Sequence, residues 1–248
     1  MSPLGLKLNK GSLLASMCKT NVRKENLMLS KKLALLLLFV FLFANSSIAK
    51  PKAKTPYRRL PPPRTKGGRP LLDVLSSRKT TREFSERTLT NQLLSDLLWA
   101  AAGVNRPKVG KRTAPSAMNQ QAIDIYLARK DGLWFYMPKR NMLRLVQEVD
   151  LRKETGEQDF VGSAPLNIVY VADSDRMKTD ANLRSFYAAA DTSFMVQNVY
   201  LFCASEGLAT VVRGWVNRKK LAKKMGLRRT QRVTLCQTVG YAKKEGAK

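Results

Sequence analysis

The sequence predicts an α+β domain with a central mixed or antiparallel sheet, flanked by helices of which one is long and buried. Residues 166–172, LNIVYVA, form a continuous apolar run that is typical of a buried strand. Asp131-Gly132 is a hairpin turn signal between two strand-like runs. Residues 181–205 form the longest stretch with the apolar spacing of a helix, which places a helical layer against that sheet.

Helical spacing of apolar residues recurs along the chain. In 91–102, leucines and alanines three and four residues apart share one face, and Gly103 can end the helix. In 181–205 the apolar residues, Phe186 and Phe194 among them, cover more than one face, so we expect this helix to be buried on several sides. The other predicted helices are 71–76, 140–148 and 217–225.

Strand patterns lie between these helices. Ile123, Ile125 and Leu127 alternate with more polar residues, which predicts a strand that returns through the turn as LWFYM at 133–137. Two later runs, LATVVRGW and RVTLCQTVGY, are predicted as strands near the end of the chain. Residues 104–121 have no period and are predicted as a loop of functional length.

Charge and composition divide the 248 residues into three parts. Residues 1–49 are predicted as a leader, because twelve apolar residues at 33–44 follow Lys31-Lys32 and precede small residues at a plausible cleavage site. Met28 would start a more compact leader. Residues 50–69 are predicted as a basic, Pro-rich arm, and 70–248 as one domain. We therefore expect an exported, periplasmic protein without a stable membrane span after cleavage; an uncleaved anchor is the alternative.

The net charge of +27 allows nucleic acid, an anionic membrane or an anionic polymer as partner. Much of this excess lies in the leader and the arm, and the arm lacks base-stacking aromatics interleaved with its cations, which disfavours nucleic acid. Because the chain has no histidine, Ser-His-Asp and Cys-His catalysis are excluded. No metal spacing is present, and buried free thiols at Cys203 and Cys236 are favoured over a disulfide.

Residues 77–84, SRKTTREF, could form an anion site. Guanidinium groups grip phosphate oxygens bidentately, and hydroxyls can donate alongside them. Arg78, Lys79, Thr80 and Arg82 would converge if the chain turns after the preceding helix. A solvated basic face is the alternative that these residues alone leave open. Phe84 is predicted as a core residue.

Three further segments occur in order behind this motif. They are TAPSAMNQQ at 113–121, the D…QN…GL spacing of the long helix, and VVRGW at 211–215. Together with RKTTR these segments resemble the nitroreductase family of flavin enzymes, over roughly 70–243, and are most similar to the branch that includes azoline-oxidising dehydrogenases. Lys79 and Thr80 replace the family's more usual Arg and Ser, and Ala242 stands where a Pro is common.

The resemblance implies a nitroreductase-like homodimer with FMN at the subunit interface and NADH or NADPH as donor. FMN would carry hydride or electrons, by alternation, to or from an electron-poor small molecule such as a nitro compound, a quinone or an azoline; the protein would supply no catalytic side chain. Arg78, Lys79, Thr80 and Arg82 would hold the phosphate and ribityl chain. The other implied contacts are Pro115, Ser116, Asn119, backbone groups of Arg213 and Gly214, and Lys243 or Lys244. A secreted binding protein of an anionic polymer or membrane surface, without turnover, is the alternative function.

Overall fold

The computed structural model describes residues 56–243. The predicted leader, the possible start at Met28, the first residues of the predicted arm and Lys244 lie outside this range. The helices are α1 (Leu71–Ser77), α2 (Asn91–Ala102), α3 (Ala181–Ser205) and α4 (Arg218–Lys224). The strands are β1 (Tyr57–Arg59), β2 (Val104–Arg106), β3 (Lys111–Arg112), β4 (Ile123–Arg129), β5 (Gly132–Met137), β6 (Met142–Gln147), β7 (Leu166–Asp173), β8 (Ala209–Arg213) and β9 (Gln231–Gly240).

Seven strands form one sheet in the order β1-β6-β5-β4-β7-β9-β8, and every neighbouring pair is antiparallel. Strand β7 is an inner strand between β4 and β9 and is buried along its whole length, as its apolar run predicts. The β4–β5 hairpin forms where Asp131-Gly132 predicts it, with Arg129 paired to Gly132. The predicted α+β fold with a central sheet is confirmed, and the sheet is antiparallel throughout.

Helices α2 and α3 cover one face of the sheet. Leu97, Leu98 and Val199 have no exposed surface and belong to the main core, together with apolar side chains of β4 and β7. A second core on the opposite face lies under α4 and contains Cys236. Cys203 and Cys236 are buried free thiols, as predicted, and burial raises the pKa of Cys236 to about 12.

The predicted helix at 140–148 is wrong, because this segment is strand β6. Leu143 and Leu145 are buried, whereas Met142, Arg144 and Val146 between them are partly exposed, so the apolar pattern has a period of two. Six residues of pattern are too few to separate the two periods by sequence, whereas pairing with both β5 and β1 satisfies the backbone of this segment.

The predicted burial of α3 on several sides is also wrong for a single chain. Its helical span is as predicted, but Phe186 is 66% exposed and Phe194 is 47% exposed. Both lie away from the face that packs against α2 and the sheet. Two large apolar side chains on one exposed helix face are unusual for a surface that only meets water.

The described part of the predicted arm packs against the domain. Tyr57–Arg59 adds an edge strand beside β6, and Leu60 is buried. The Arg64 backbone N–H and guanidinium both donate to Asp96, a buried carboxylate of α2, at 2.7 and 2.6 Å. These contacts join the arm to the helical layer. Within 56–243, none of the helices is long and apolar enough to cross a membrane.

Candidate functional site

Residues 78–82 lie in an extended segment fastened to strand β8. The Thr81 N–H donates to the Thr210 carbonyl at 3.1 Å. The hydroxyls of Thr80 and Tyr200 lie 3.1 Å apart, and the Tyr200 oxygen also accepts the Val212 N–H at 3.0 Å. Tyr200 of α3 therefore connects the segment to the sheet.

Lys243 is brought to the same place by the end of strand β9. Its N–H donates to the Glu83 carbonyl at 3.2 Å, and Phe84 and Ala242 form an antiparallel bridge. The alanine at 242 thus leaves the tail beside residues 78–84. Phe84 is buried and its ring centroid lies 5.5 Å from that of Phe160, which confirms it as a core residue.

Residues 78–82 and Lys243 are called the cationic corner below. Arg78 is half-buried, with its guanidinium carbon 5.4 Å from the centre of the Tyr200 ring, whereas Lys79 and Arg82 are exposed. None of its cations forms an ion pair with a carboxylate in the described residues. A cavity of about 200 Å³ opens between Lys79 and the end of α3. The corner thus offers four unpaired cations and a hydroxyl to an anion.

Gly214 follows strand β8 directly and leaves room for a ligand against the backbone. A Cβ built there would meet nothing closer than the Arg218 guanidinium at 3.8 Å. The Arg213 side chain, by contrast, turns into the protein and is 4% exposed. It donates to the Thr155 carbonyl and, at 2.9 Å, to the Asn167 side-chain oxygen, and a Cβ on Gly156 would collide with it.

Arg213 has no carboxylate partner in the described part of the chain. Burial lowers the pKa of its guanidinium, and its Nε has no hydrogen-bond partner. The sequence predicted only a role for its backbone. The side chain has a different one, because its bonds to Thr155 and Asn167 hold residues 155–160 beside the end of β8.

Pro115, Ser116 and Asn119 lie in a second group on the 104–121 segment, which forms the short β2–β3 hairpin and two single 3₁₀ turns. Pro115 and Asn119 are exposed. The Ser116 hydroxyl accepts the Gln121 N–H at 3.0 Å, and Asn119 has a left-handed φ of 54°. The buried Asp191 of α3 accepts the Ala117 N–H at 3.0 Å, and its burial raises the pKa of this carboxyl.

The structure therefore gathers the predicted residues into two groups along α3. The cationic corner meets the helix at Tyr200, and the Ser116 loop meets it at Asp191. At 1.5 Å per residue these contacts are about 13 Å apart along the helix axis. Sequence reasoning missed Tyr200 and Asp191 as supports; a polar group on a buried helix was the signal that could have found them.

This antiparallel sheet packed on one long helix is a nitroreductase-like α+β fold. A sequence model described as "Nitroreductase family" matches residues 75–241. Because this match covers most of the chain, the chain belongs to the nitroreductase family. Membership supports an oxidoreductase function of the general flavin type.

Relatives and solved structures agree with this assignment. A Methanocaldococcus jannaschii protein, provisionally named a nitroreductase, is 32% identical over 58% of this chain and 78% of its own length. A crystal structure of a Ralstonia eutropha JMP134 protein, also provisionally named, is 47% identical with a TM-score of 0.74, covering 76% of this chain and 90% of that one. The Vibrio harveyi NADPH:FMN oxidoreductase in complex with NAD+ shares the fold, at 20% identity and a TM-score of 0.54, over 70% and 69% of the two chains.

Proposed function

We propose that this protein is an FMN-dependent oxidoreductase acting on an electron-poor small molecule. The observation that carries the proposal is the cationic corner, because two neighbouring segments of the fold supply its four cations and a hydroxyl, and the cations have no carboxylate partners in the described residues. Phosphate is the group that such an arrangement suits, since each guanidinium can donate two parallel hydrogen bonds to it.

The corner fits the phosphate end of FMN. Arg78 and Arg82 come from one extended segment and Lys243 from the neighbouring tail, so the cations approach from two directions. Thr80 can donate its hydroxyl, because the Tyr200 hydroxyl opposite it can act as either donor or acceptor. These residues bind and orient the cofactor and neutralise its phosphate.

The open backbone at Gly214 fits the ring end. A flat ring can approach a glycine closely because no Cβ intervenes, and the surroundings of Gly214 leave that space. When bound, FMN supplies the redox chemistry, taking up a hydride from a donor and passing electrons to an acceptor. The chain positions the ring and stabilises negative charge on it, and no histidine or nucleophile is needed.

Pro115, Ser116 and Asn119 are proposed to reach the flavin from a partner subunit. Each site would then take the cationic corner from one copy and the Ser116 loop from the other. Phe186 and Phe194, exposed on α3, offer an apolar face for such a homodimer. A second copy would cover the surface that a single chain leaves open to water.

The donor and the acceptor are the finer parts of the proposal. The name of the Vibrio harveyi structure gives NADPH as donor for that protein, and NADH or NADPH is proposed here by analogy. Nitro compounds, quinones and azolines are the proposed acceptors. Export to the periplasm, proposed from the apolar stretch at 33–44, would favour a donor that is present there.

The flavin content of the purified full-length chain tests this function. We expect a yellow protein whose cofactor is FMN when released by denaturation, and whose absorbance bleaches with NADH or NADPH and returns with a quinone or nitroaromatic. A colourless protein that takes up no added FMN would overturn the proposal and favour the binding-protein alternative.

A further inference from the structure

A groove separate from the cationic corner lies between α3, α4 and strand β9. Its volume is about 500 Å³. Ala189 of α3, Ala222 of α4, and Val233 and Leu235 of β9 provide its apolar surface. We call it the α3–α4 groove. Its size suits a small planar molecule.

The rim of this groove is cationic. Arg218, Lys219 and Arg232 line it, and no Asp or Glu does. None of the three forms an ion pair within residues 56–243, although other cations of the same surface do: Lys220 and Lys224 both pair with Glu154. The charge that faces the groove is therefore available to a ligand.

The groove begins next to the proposed flavin position. A Cβ built on Gly214 would lie 3.8 Å from Arg218 Nη2 and 4.0 Å from Leu235 Cδ2, and both residues line the groove. The Arg218 Nε donates to the Thr234 carbonyl at 3.1 Å, which holds the guanidinium head in place. A molecule in the groove would thus meet a fixed arginine and the Gly214 edge together.

We propose that the α3–α4 groove binds the anionic group of a small planar reactant, with Arg218 and Arg232 selecting for negative charge. The inference rests on the proposed flavin function and adds the charge of the substrate to it. An apolar floor takes the planar body, while a guanidinium grips a carboxylate, sulfonate or phosphate bidentately. The anion can come from the acceptor, as a carboxylate, or from the donor, as a nucleotide phosphate.

The test compares reactants that differ in charge. 4-Nitrobenzoate and its neutral analogue 4-nitrobenzyl alcohol are reduced with NADH, and NADPH is compared with NADH on the neutral acceptor. The proteins are the wild type, the double variant Arg218→Gln/Arg232→Gln and the control Arg229→Gln, which removes an exposed cation outside the groove.

We expect kcat/KM of the wild type to favour one of the more negative reactants by about tenfold, a preference typical of one charge-assisted contact. The double variant should lose most of that preference through a higher KM for the more negative reactant, and the control should keep it. An effect confined to the acceptor pair assigns the groove to the acceptor; one confined to the donor pair assigns it to the donor's phosphate.

Direct binding separates this inference from the flavin proposal. Calorimetric titrations of two ligand pairs, 4-nitrobenzoate against the alcohol and NADP+ against NAD+, need no turnover, and flavin content is measured on every variant. Retained FMN and turnover with no charge preference in either pair, or equal affinities within both ligand pairs, overturn the groove assignment. Loss of flavin from the wild type overturns the proposed function instead, while the calorimetric preference still decides on the groove.

Discussion

The cationic corner and a cluster around Asp173 are both rich in arginine, yet only one has charge to offer a ligand. In the Asp173 cluster, which comprises Asp124, Asp173, Asp175, Arg176 and Arg228, each cation meets a carboxylate. The Arg176 guanidinium lies 2.7 Å from Asp124, and that of Arg228 lies 2.6 Å from Asp173 and 3.2 Å from Asp175. In the corner no such pair forms within the described residues.

The difference lies in where the few acids are placed. The chain has 18 acidic residues for 45 basic ones, so most cations cannot be paired. The Asp173 side chain is only 6% exposed, and the cations close by offset the cost of burying its charge. The corner contains no buried acid, and hydroxyl and backbone contacts hold the segments that carry its cations. Of these two clusters, only the one whose arginines lack carboxylate partners in the described residues can offer charge to a ligand.

Removing the corner's guanidinium groups should have the largest effect on function. We expect Arg78→Gln/Arg82→Gln to weaken FMN binding by at least about 100-fold, because two charge-assisted contacts to the phosphate are lost. The free energy of unfolding measured in urea should be unchanged, because neither arginine forms an ion pair, within residues 56–243, that the substitution would remove. Titration of the apo-protein with FMN measures the first quantity. A double variant that stays yellow through gel filtration would contradict the phosphate assignment.

Arg213 differs from the arginines of the cationic corner, because its buried hydrogen bonds stabilise the fold. We expect Arg213→Met to lower the free energy of unfolding by about 3 kcal/mol, since a charged donor is removed from buried oxygens of Thr155 and Asn167. Equilibrium urea denaturation measures the change. Arg82→Gln serves as the matched control and should leave the midpoint unchanged. A loss below about 1 kcal/mol would contradict the role of Arg213 in holding residues 155–160.

Asp191 is a buried acid that forms no ion pair within the described residues. Its substitution therefore measures the free-energy cost of burying an unpaired carboxylate. Its folded-state pKa is raised by burial, so its contribution to stability is present below the ordinary value of 3.8 and is lost as pH rises through the folded pKa. Asp191→Asn keeps an oxygen for the Ala117 N–H without the charge. We expect the variant to be more stable than the wild type at pH 7, by about 1 kcal/mol or less.

Denaturation curves at several pH values between about 3 and 8 measure the free energy of unfolding of both proteins. The range starts near the ordinary pKa of an Asp. The difference between the two proteins should shrink as pH falls through the folded pKa. A variant that is less stable at every pH would show that the Ser116 loop depends on the carboxylate charge.

Local sequence patterns predicted most of the helices and strands of this fold. Helices α2 and α3 were predictable because their apolar periodicity is long and Gly103 and Gly207 follow their ends, and strand β7 because its apolar run is continuous. Strand β6 was not, because six residues carry too little period to exclude a helix, and its pairing with β1 depends on chain from the predicted arm. Pairing across more than 80 residues leaves no local trace.

The residues of the candidate site could be predicted from the sequence, but their arrangement in space could not. The motif at 78–82 was visible, whereas its fastening to Tyr200, 120 residues away, depends on the tertiary fold. The inward direction of Arg213 was equally hidden, because a strand residue next to a glycine can face either side of a sheet. Sequence also could not sort the paired cations from the free ones, since pairing is decided by distance in the folded chain.

Arg228→Gln should have the smallest effect and completes the comparison. Arg228 is 60% exposed, so its pairs with Asp173 and Asp175 are screened by water, and we expect a loss of about 0.5 kcal/mol that shrinks further in high salt. FMN binding should not change, because the Asp173 cluster offers the flavin no free cation. Urea denaturation at low and high salt, with FMN titration of the same variant, checks both. If Arg228→Gln changed the FMN affinity more than the free energy of unfolding, a paired arginine would be binding the cofactor. That result would contradict the distinction between the cationic corner and the Asp173 cluster.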